Sequence, residues 1–277
     1  MNKKLIYYLN GKWVESTKSK IPFTDSGFLY GDGLFETIRF NNNKPFRIKK
    51  HIIRLRNGCK ILYLNLGIND LEISKIINTI ISKNTLNKGL IRLMVTRGSI
   101  SGAPWNYNGK ASIYALIRPL SPDPKLPVKI IYYNESNYPI IRFNPAIKSM
   151  NYVGNLLAKK DAEKDNAYEP VFINKDNYIT ECAIRNIFYL KDKQLLTPEL
   201  DLGILPGVMR DVIIEIAQKM NLVINETKIN ISEINSMDEA FISSTGIGLY
   251  PCKWNGWTST YCITMQLRKH LNEILNR

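Results

Sequence analysis

The chain has 277 residues, 44% apolar and 22% charged, with a formal net charge of +14. That balance excludes a disordered or fibrous protein, and no apolar run is long enough to span a bilayer. The opening MNKKLIYYLNGKW lacks the apolar centre and cleavage site of a signal peptide, so a cytoplasmic protein without a membrane partner is expected. The four cysteines (Cys59, Cys182, Cys252, Cys262) show no Cys-x-x-Cys spacing, which fits reduced thiols and offers no metal site. The surplus positive charge points to an anionic partner. Because Lys and Arg are scattered through a chain also rich in Asn and Ile, we expect small anionic ligands and no nucleic acid.

In chain order, KLIYYLNGKWVES reads as a hairpin turning at Asn10-Gly11. GLFETIRFNNNKPFRI is a strand with its turn at 41–43. In KKHIIRLRNGCKILYL, Ile48, Ile52, Leu55, Cys59 and Leu62 recur at helical spacing. NDLEISKIINTIISKN is a second helix capped by Asn69 or Asp70. The strands GLIRLMVTRG and ASIYALIRPL follow. RPLSPDPKLPVK, with four prolines, reads as a linker, which divides the chain into an N-terminal α/β domain at 1–118, a linker at 119–126 and a C-terminal domain at 127–277. The second half holds a strand VKIIYYNE, a helix through NLLAKKDAEKDNA and a hairpin EPVFINKDNYITE. Next come a strand NIFYLKDKQLLTP and a helix PGVMRDVIIEIAQKM that starts with Pro206 near its first turn. A strand DEAFISSTGIGLYP ending in a glycine turn and a last helix ITMQLRKHLNEILN complete it. Alternating strands and helices in both halves predict an α/β (α+β) enzyme of two domains.

Four places stand out together for their chemistry, and a helical face with His51 and Arg54 adds a fifth. Lys148 follows Pro145, Ala146 and Ile147, an apolar approach that would keep its amine from water and favour the neutral, nucleophilic form; a plain strand-end lysine fits the same pattern. Glu181, after an apolar strand, either points inward toward a cation or lies in solvent. In GILPGVMRD, free backbone N–H groups at Gly207, Val208 and Met209 suit an anion at a helix start, and Ser244-Thr245 in FISSTGIG offer hydroxyls beside glycine. His51 and Arg54 share a helical face, where Arg54 could grip a phosphate. Jointly, an amine nucleophile, a carboxylate for a pyridinium nitrogen, an arginine and helix-start amides are what pyridoxal phosphate needs.

Taken in order, FLYGDGLFETIRF, HIIRL, IKSMNYVGNLLAKKDAE, YITECAIRNIF, LLTPELDLGILPGVMRD and FISSTGIG resemble the class IV aminotransferase family, pyridoxal-phosphate enzymes of fold type IV, along almost the full chain. The resemblance implies two domains with the cofactor in the cleft between them, and a homodimer with its sites bordering the subunit interface. It makes Lys148 the lysine that condenses with the cofactor aldehyde and moves the proton at the substrate carbon. Glu181 would keep the ring nitrogen protonated. Arg54, the Val208 and Met209 amides, Ser244 and Thr245 would hold the phosphate, and Leu205 would pack on the ring. Tyr152 would bond the ring hydroxyl, although its spacing from Lys148 is one residue shorter than the branched-chain pattern.

Within the family, SISGAPWNYNG after VTRG lacks the Arg-x-His pair of D-amino acid enzymes. Thr37 stands where branched-chain enzymes usually have glycine, and Met209 where many aminotransferases have threonine; both resemble the lyases. The resemblance therefore implies an aminodeoxychorismate lyase of folate biosynthesis, with Lys148 and Thr37 catalytic and a small anionic amino substrate. The alternative is a branched-chain or D-amino acid type aminotransferase using 2-oxoglutarate.

Overall fold

A computed structural model describes residues 4–103, 105 and 110–276. The start of the opening stretch and positions 104 and 106–109 of SISGAPWNYNG lie outside the described residues. The chain forms two compact units: Met1–Ser121 with Ile147–Asn151 and Arg277, and Pro122–Ala146 with Tyr152–Asn276. The five residues around Lys148 thus cluster with the first unit, although the sequence on both sides of them belongs to the second.

The first unit contains β1 (Ile6–Leu9), β2 (Lys12–Glu15), α1 (Ser26–Tyr30), β3 (Gly33–Asn41), β4 (Lys44–Pro45), α2 (Ile48–Ile61), α3 (Asp70–Ser82), β5 (Lys88–Thr96) and β6 (Ser112–Arg118). Its six-stranded sheet has the order β2-β1-β6-β5-β3-β4, with each neighbouring pair antiparallel. The β1–β2 turn follows from Asn10 and Gly11, both at positive φ (48° and 91°), the geometry of a two-residue hairpin loop. Alternation along β3 sends Leu34, Ile38 and Phe40 into a core with Ile52 and Leu55 of α2 and the Ile73, Ile77 and Ile80 stripe of α3. Each such buried side chain contributes about 1.5–3 kcal/mol. Asn69 caps α3 in a reciprocal box with Glu72.

The second unit contains β7 (Val128–Asn134), α4 (Val153–Lys164), β8 (Glu169–Ile173), β9 (Ile179–Cys182), β10 (Asn186–Lys191), β11 (Gln194–Pro198), α5 (Val208–Lys219), β12 (Val223–Thr227), β13 (Glu239–Ser244), β14 (Gly248–Lys253) and α6 (Cys262–Leu275). They build a mixed eight-stranded sheet in the order β12-β11-β10-β13-β14-β7-β8-β9. Helix α4 packs on β7 and β8, while α5 and α6 pack on the β12–β14 side.

Two expected single strands are hairpins. NIFYLKDKQLLTP folds back at Asp192-Lys193, both at positive φ, so β10 and β11 pair antiparallel. DEAFISSTGIGLYP turns after Ser244 and returns as β14. Pro206 lies one residue before the N-cap Gly207, and α5 itself starts at Val208. The short helix α1 and the strand β12 have no counterpart in the sequence reading.

Candidate functional site

In the first unit the site is built on β3, whose two faces do different work. Segment 148–150 lies along the edge of β3. The Phe35 N–H donates to the Lys148 carbonyl (3.0 Å) and the Met150 N–H to the Gly33 carbonyl (2.9 Å), with Leu34 bridged to Ser149. This register puts Lys148 beside Phe35, and the half-buried Lys148 holds its Nζ 4.4 Å from the centroid of that ring. The Arg92 guanidinium lies 4.4 Å from the same centroid. Thr37, half-buried, pairs with Arg92 across to β5 and shares the side of β3 with Phe35.

The opposite face of β3 carries Glu36, 1% exposed beneath α2. Its Oε2 contacts His51 Nδ1 at 2.7 Å, and Arg54 donates from Nε to Oε1 (2.8 Å) and from Nη2 to Oε2 (2.6 Å). Burial pushes the Glu36 carboxyl up, but Arg54 and then His51 outweigh it and hold the pKa down at about 2. Burial likewise lowers the His51 pKa against the pull of Glu36, with Arg54 and Lys148 adding repulsion. A neutral His51 donates through Nδ1, which leaves Nε2 buried with no hydrogen-bond partner among the described residues. Arg54 is not a solvated cation of a basic face; it is 11% exposed and braced by a carboxylate.

In the second unit, Glu181 sits on β9 with Oε1 accepting from Arg142 Nη1 (2.5 Å) and Oε2 from the Leu205 N–H (3.2 Å). Arg142 also donates to Glu135 from Nε and Nη2 (3.1 and 2.9 Å) and to Thr180 Oγ1 (3.0 Å). Burial disfavours the Arg142 charge, yet Glu181 and Glu135 raise its pKa overall. Two expected site residues, Glu181 and Leu205, are therefore in direct contact.

Helix α5 begins at Gly207, with no side chain capping it and with Val208 and Met209 buried in the first turn. A Cβ on Gly207 would lie 2.0 Å from Asn186 Oδ1, so no side chain fits there. Asn186 Nδ2 in turn donates to the Leu205 carbonyl (3.0 Å). Ser244 ends β13 half-buried, and Thr245 is buried in the turn to β14. Tyr152 is the half-buried N-cap of α4.

Sequence reading missed Glu36, Arg92, Arg142 and Asn186. A carboxylate in phase with Leu34 and Ile38 was the one signal for Glu36. Arg142, 39 residues from Glu181 in sequence, has none.

Each unit offers groups that pyridoxal phosphate requires: the first an amine against an aromatic ring, the second a fixed carboxylate for a cationic ring nitrogen and an uncapped helix start, closed to side chains at Gly207, for a phosphate. Residues 33–253 match the family of class IV amino-transferases. The chain belongs to this family, and it is an enzyme that uses pyridoxal 5′-phosphate. It is 32% identical over 246 residues to a Methanocaldococcus jannaschii protein provisionally named a branched-chain-amino-acid aminotransferase, covering 88% of this chain and 85% of that one. It is 30% identical over 252 residues to an aminodeoxychorismate lyase of Bacillus subtilis (88% and 84% covered), and 30% identical over 253 residues to a D-alanine aminotransferase of Listeria monocytogenes (88% and 85% covered). The fold matches that of a branched-chain aminotransferase from Thermoproteus uzoniensis, with a TM-score of 0.89, 24% identity and coverage of 99% and 95%.

Proposed function

We propose that this enzyme is an aminodeoxychorismate lyase, which converts 4-amino-4-deoxychorismate to 4-aminobenzoate and pyruvate. The observation that carries the reading is Thr37: a hydroxyl on the Phe35 side of β3, paired across the sheet with Arg92, where Lys148 also points. A hydroxyl at this place serves an elimination, and the nearby cation suits a carboxylate of the substrate.

The bound cofactor supplies an electron sink for the carbon that bears the substrate amine. Lys148 would hold the cofactor and move the proton at that carbon. The neighbouring C–O bond breaks, the ring becomes aromatic, and the enolpyruvyl fragment takes up a proton and leaves as pyruvate. Glu181, fixed by Arg142, would keep the ring nitrogen protonated. The Val208 and Met209 amides, Arg54, Ser244 and Thr245 would hold the phosphate, Leu205 would pack on the ring, and Tyr152 would bond its hydroxyl. Thr37 orients the leaving group.

The assay that tests this measures 4-aminobenzoate release against 2-oxoglutarate-dependent loss of L-leucine and D-alanine. We expect 4-aminobenzoate, and a loss of about tenfold or more in Thr37→Ala with cofactor absorbance unchanged. Transamination alone would overturn the lyase. The second reading is an amino-acid aminotransferase, favoured by the M. jannaschii relative.

The proposal includes a cytoplasmic homodimer. Phe23 and Phe28 are 78% and 58% exposed with ring centroids 5.7 Å apart, and Tyr30 is exposed beside them, an apolar patch that a second copy would cover. Light scattering on the eluted protein tests it, and a monomer would overturn it. No helix among the described residues is long and apolar enough to cross a membrane.

A further inference from the structure

The excess charge of this protein belongs to one of its units. The first holds 22 of the 38 basic residues and 6 of the 24 acidic ones, a net +16; the second holds 16 and 18, a net −2, and the two add to the +14 of the chain. A general bias toward lysine would raise both. Self-repulsion on this scale weakens a fold, so the charge calls for a partner.

Cations scattered in the sequence are neighbours in the sheet. Lys44 and Lys88 both pair with Asn41, from β4 and from β5, and Arg118 pairs with Leu90 at the same end. Lys83 joins them, because the Asn84 side chain ties the end of α3 to Ile6 at the start of β1. All four cations are exposed. With strands about 4.8 Å apart, the row from β4 to β6 spans roughly 14 Å. Helix α2 starts beside it with Lys49 and Lys50 in its first turn and no acid there, against the preference of the helix dipole.

Five of the unit's six carboxylates lie elsewhere, and the sixth, Glu15, pairs with Ile6 at this end. Asp25 is bound to Thr96 and Tyr114 at the far end of the sheet, and Asp32 to Arg97 there. Glu36 is buried, and Asp70 and Glu72 open α3 at its other terminus. Only Glu15 remains, between Lys4 and Lys18. Next in sequence to Lys44, Lys83 and Lys88 lies a groove of about 440 Å³, lined by Asn43, Asn78, Ser82, Asn84, Thr85 and Asn87 with Ile81 and Leu86, and by no carboxylate.

Against the expectation of no nucleic acid, which rested on the cations being scattered in sequence, we propose that this end of the first unit is a docking surface for a nucleic-acid strand, held by its phosphates and sugars without regard to sequence. Lysines flanking a polar, uncharged groove match a phosphate backbone. None of the exposed large apolar side chains lies among the residues of the row or the groove, so nothing there inserts into a lipid surface or stacks on bases. The reacting groups are remote from it: Lys148 pairs at Phe35, six residues before Asn41 and roughly 20 Å along β3. The surface is thus independent of which reaction the enzyme performs.

Anisotropy of a fluorescent polyuridine RNA of about 20 nucleotides, titrated with the cofactor-loaded full chain, tests this. We expect binding at about 50 mM salt that falls with a log–log slope of about −3, four phosphates at about 0.7 each. The triple reversal K44E/K83E/K88E should weaken binding at least about tenfold with melting and cofactor absorbance unchanged. The reversal K160E/K175E/K219E, with the same charge change on the second unit, should retain more of the affinity. Absence of binding, equal losses in both variants, or binding of phosphatidylserine vesicles in preference to RNA would each overturn the proposal. So would a variant whose sole defect is slower uptake of pyridoxal phosphate, since the charge would then serve only to steer the cofactor.

Discussion

Glu36 grips Arg54 through two hydrogen bonds, Nε to Oε1 and Nη2 to Oε2, at a depth where the carboxylate is 1% exposed. The pairing fixes the plane of the guanidinium, because a two-point contact leaves it one orientation. A residue proposed to hold a phosphate is therefore set in place from the core side of the sheet. His51 completes the arrangement by donating to the same carboxylate.

Replacing Glu36 with Gln keeps the shape and removes the charge. One amide NH2 must then face donors on Arg54 or His51, and charge-assisted bonds worth about 1.5–3 kcal/mol each are lost. We expect a lower melting temperature and an affinity for pyridoxal 5′-phosphate reduced about tenfold, roughly 1.4 kcal/mol. Pyridoxal without its phosphate should bind the wild type and the variant equally. An equal loss for both ligands would show that Glu36 supports the fold alone and does not orient Arg54 toward phosphate.

The same pair sets an acid limit on stability. The carboxyl of Glu36 has its pKa lowered from 4.5 to about 2, so its contribution is full above pH 4.5 and lost as pH falls toward 2. His51 is lowered from 6.5, so below pH 6.5 the unfolded chain binds a proton that the folded one refuses, and stability again declines with falling pH. Both shifts have the same sign. Melting temperature followed against pH should show a smaller loss between pH 6.5 and 4.5 in His51→Asn and a smaller loss below pH 4.5 in Glu36→Gln. Unchanged profiles in both variants would mean that other groups control the acid transition.

Legibility in the sequence followed the range of the interaction. The Asn10-Gly11 hairpin and the helix α3 are set by residues close in sequence and are read directly, while the choice between Asn69 and Asp70 as its cap is decided by the box that Asn69 forms with Glu72. The β10–β11 hairpin is not legible, because Asp192 and Lys193 adopt positive φ without a glycine to announce it. Lys148, Glu181, Arg54, the 207–209 amides and Ser244-Thr245 stand out through their chemistry, whereas Leu205, Tyr152 and Thr37 enter through the family resemblance alone. The supporting residues do not stand out: Arg142 meets Glu181 across 39 positions, and Asn186 meets Leu205 across 19. Nothing in local pattern encodes a contact made only when β9, β10 and the start of α5 come together.

Gly207 tests how closely that convergence is tuned. It stands at φ −72°, an ordinary backbone conformation, so a larger residue is not barred by strain in the chain itself. What bars it is Asn186, whose Oδ1 lies 2.0 Å from where a Cβ would be. Alanine must push the Asn186 amide away, breaking its bond to the Leu205 carbonyl and shifting the residue whose N–H donates to Glu181. Overpacking of this kind costs about 1–3 kcal/mol. We expect Gly207→Ala to lower the melting temperature and to weaken pyridoxal 5′-phosphate binding. The double variant Gly207→Ala with Asn186→Gly, which removes the clash, should recover the stability cost in part and leave the cofactor bound more weakly than in wild type. Full recovery of cofactor affinity in the double variant would show that Asn186 acts only as an obstacle and that its hold on Leu205 is dispensable.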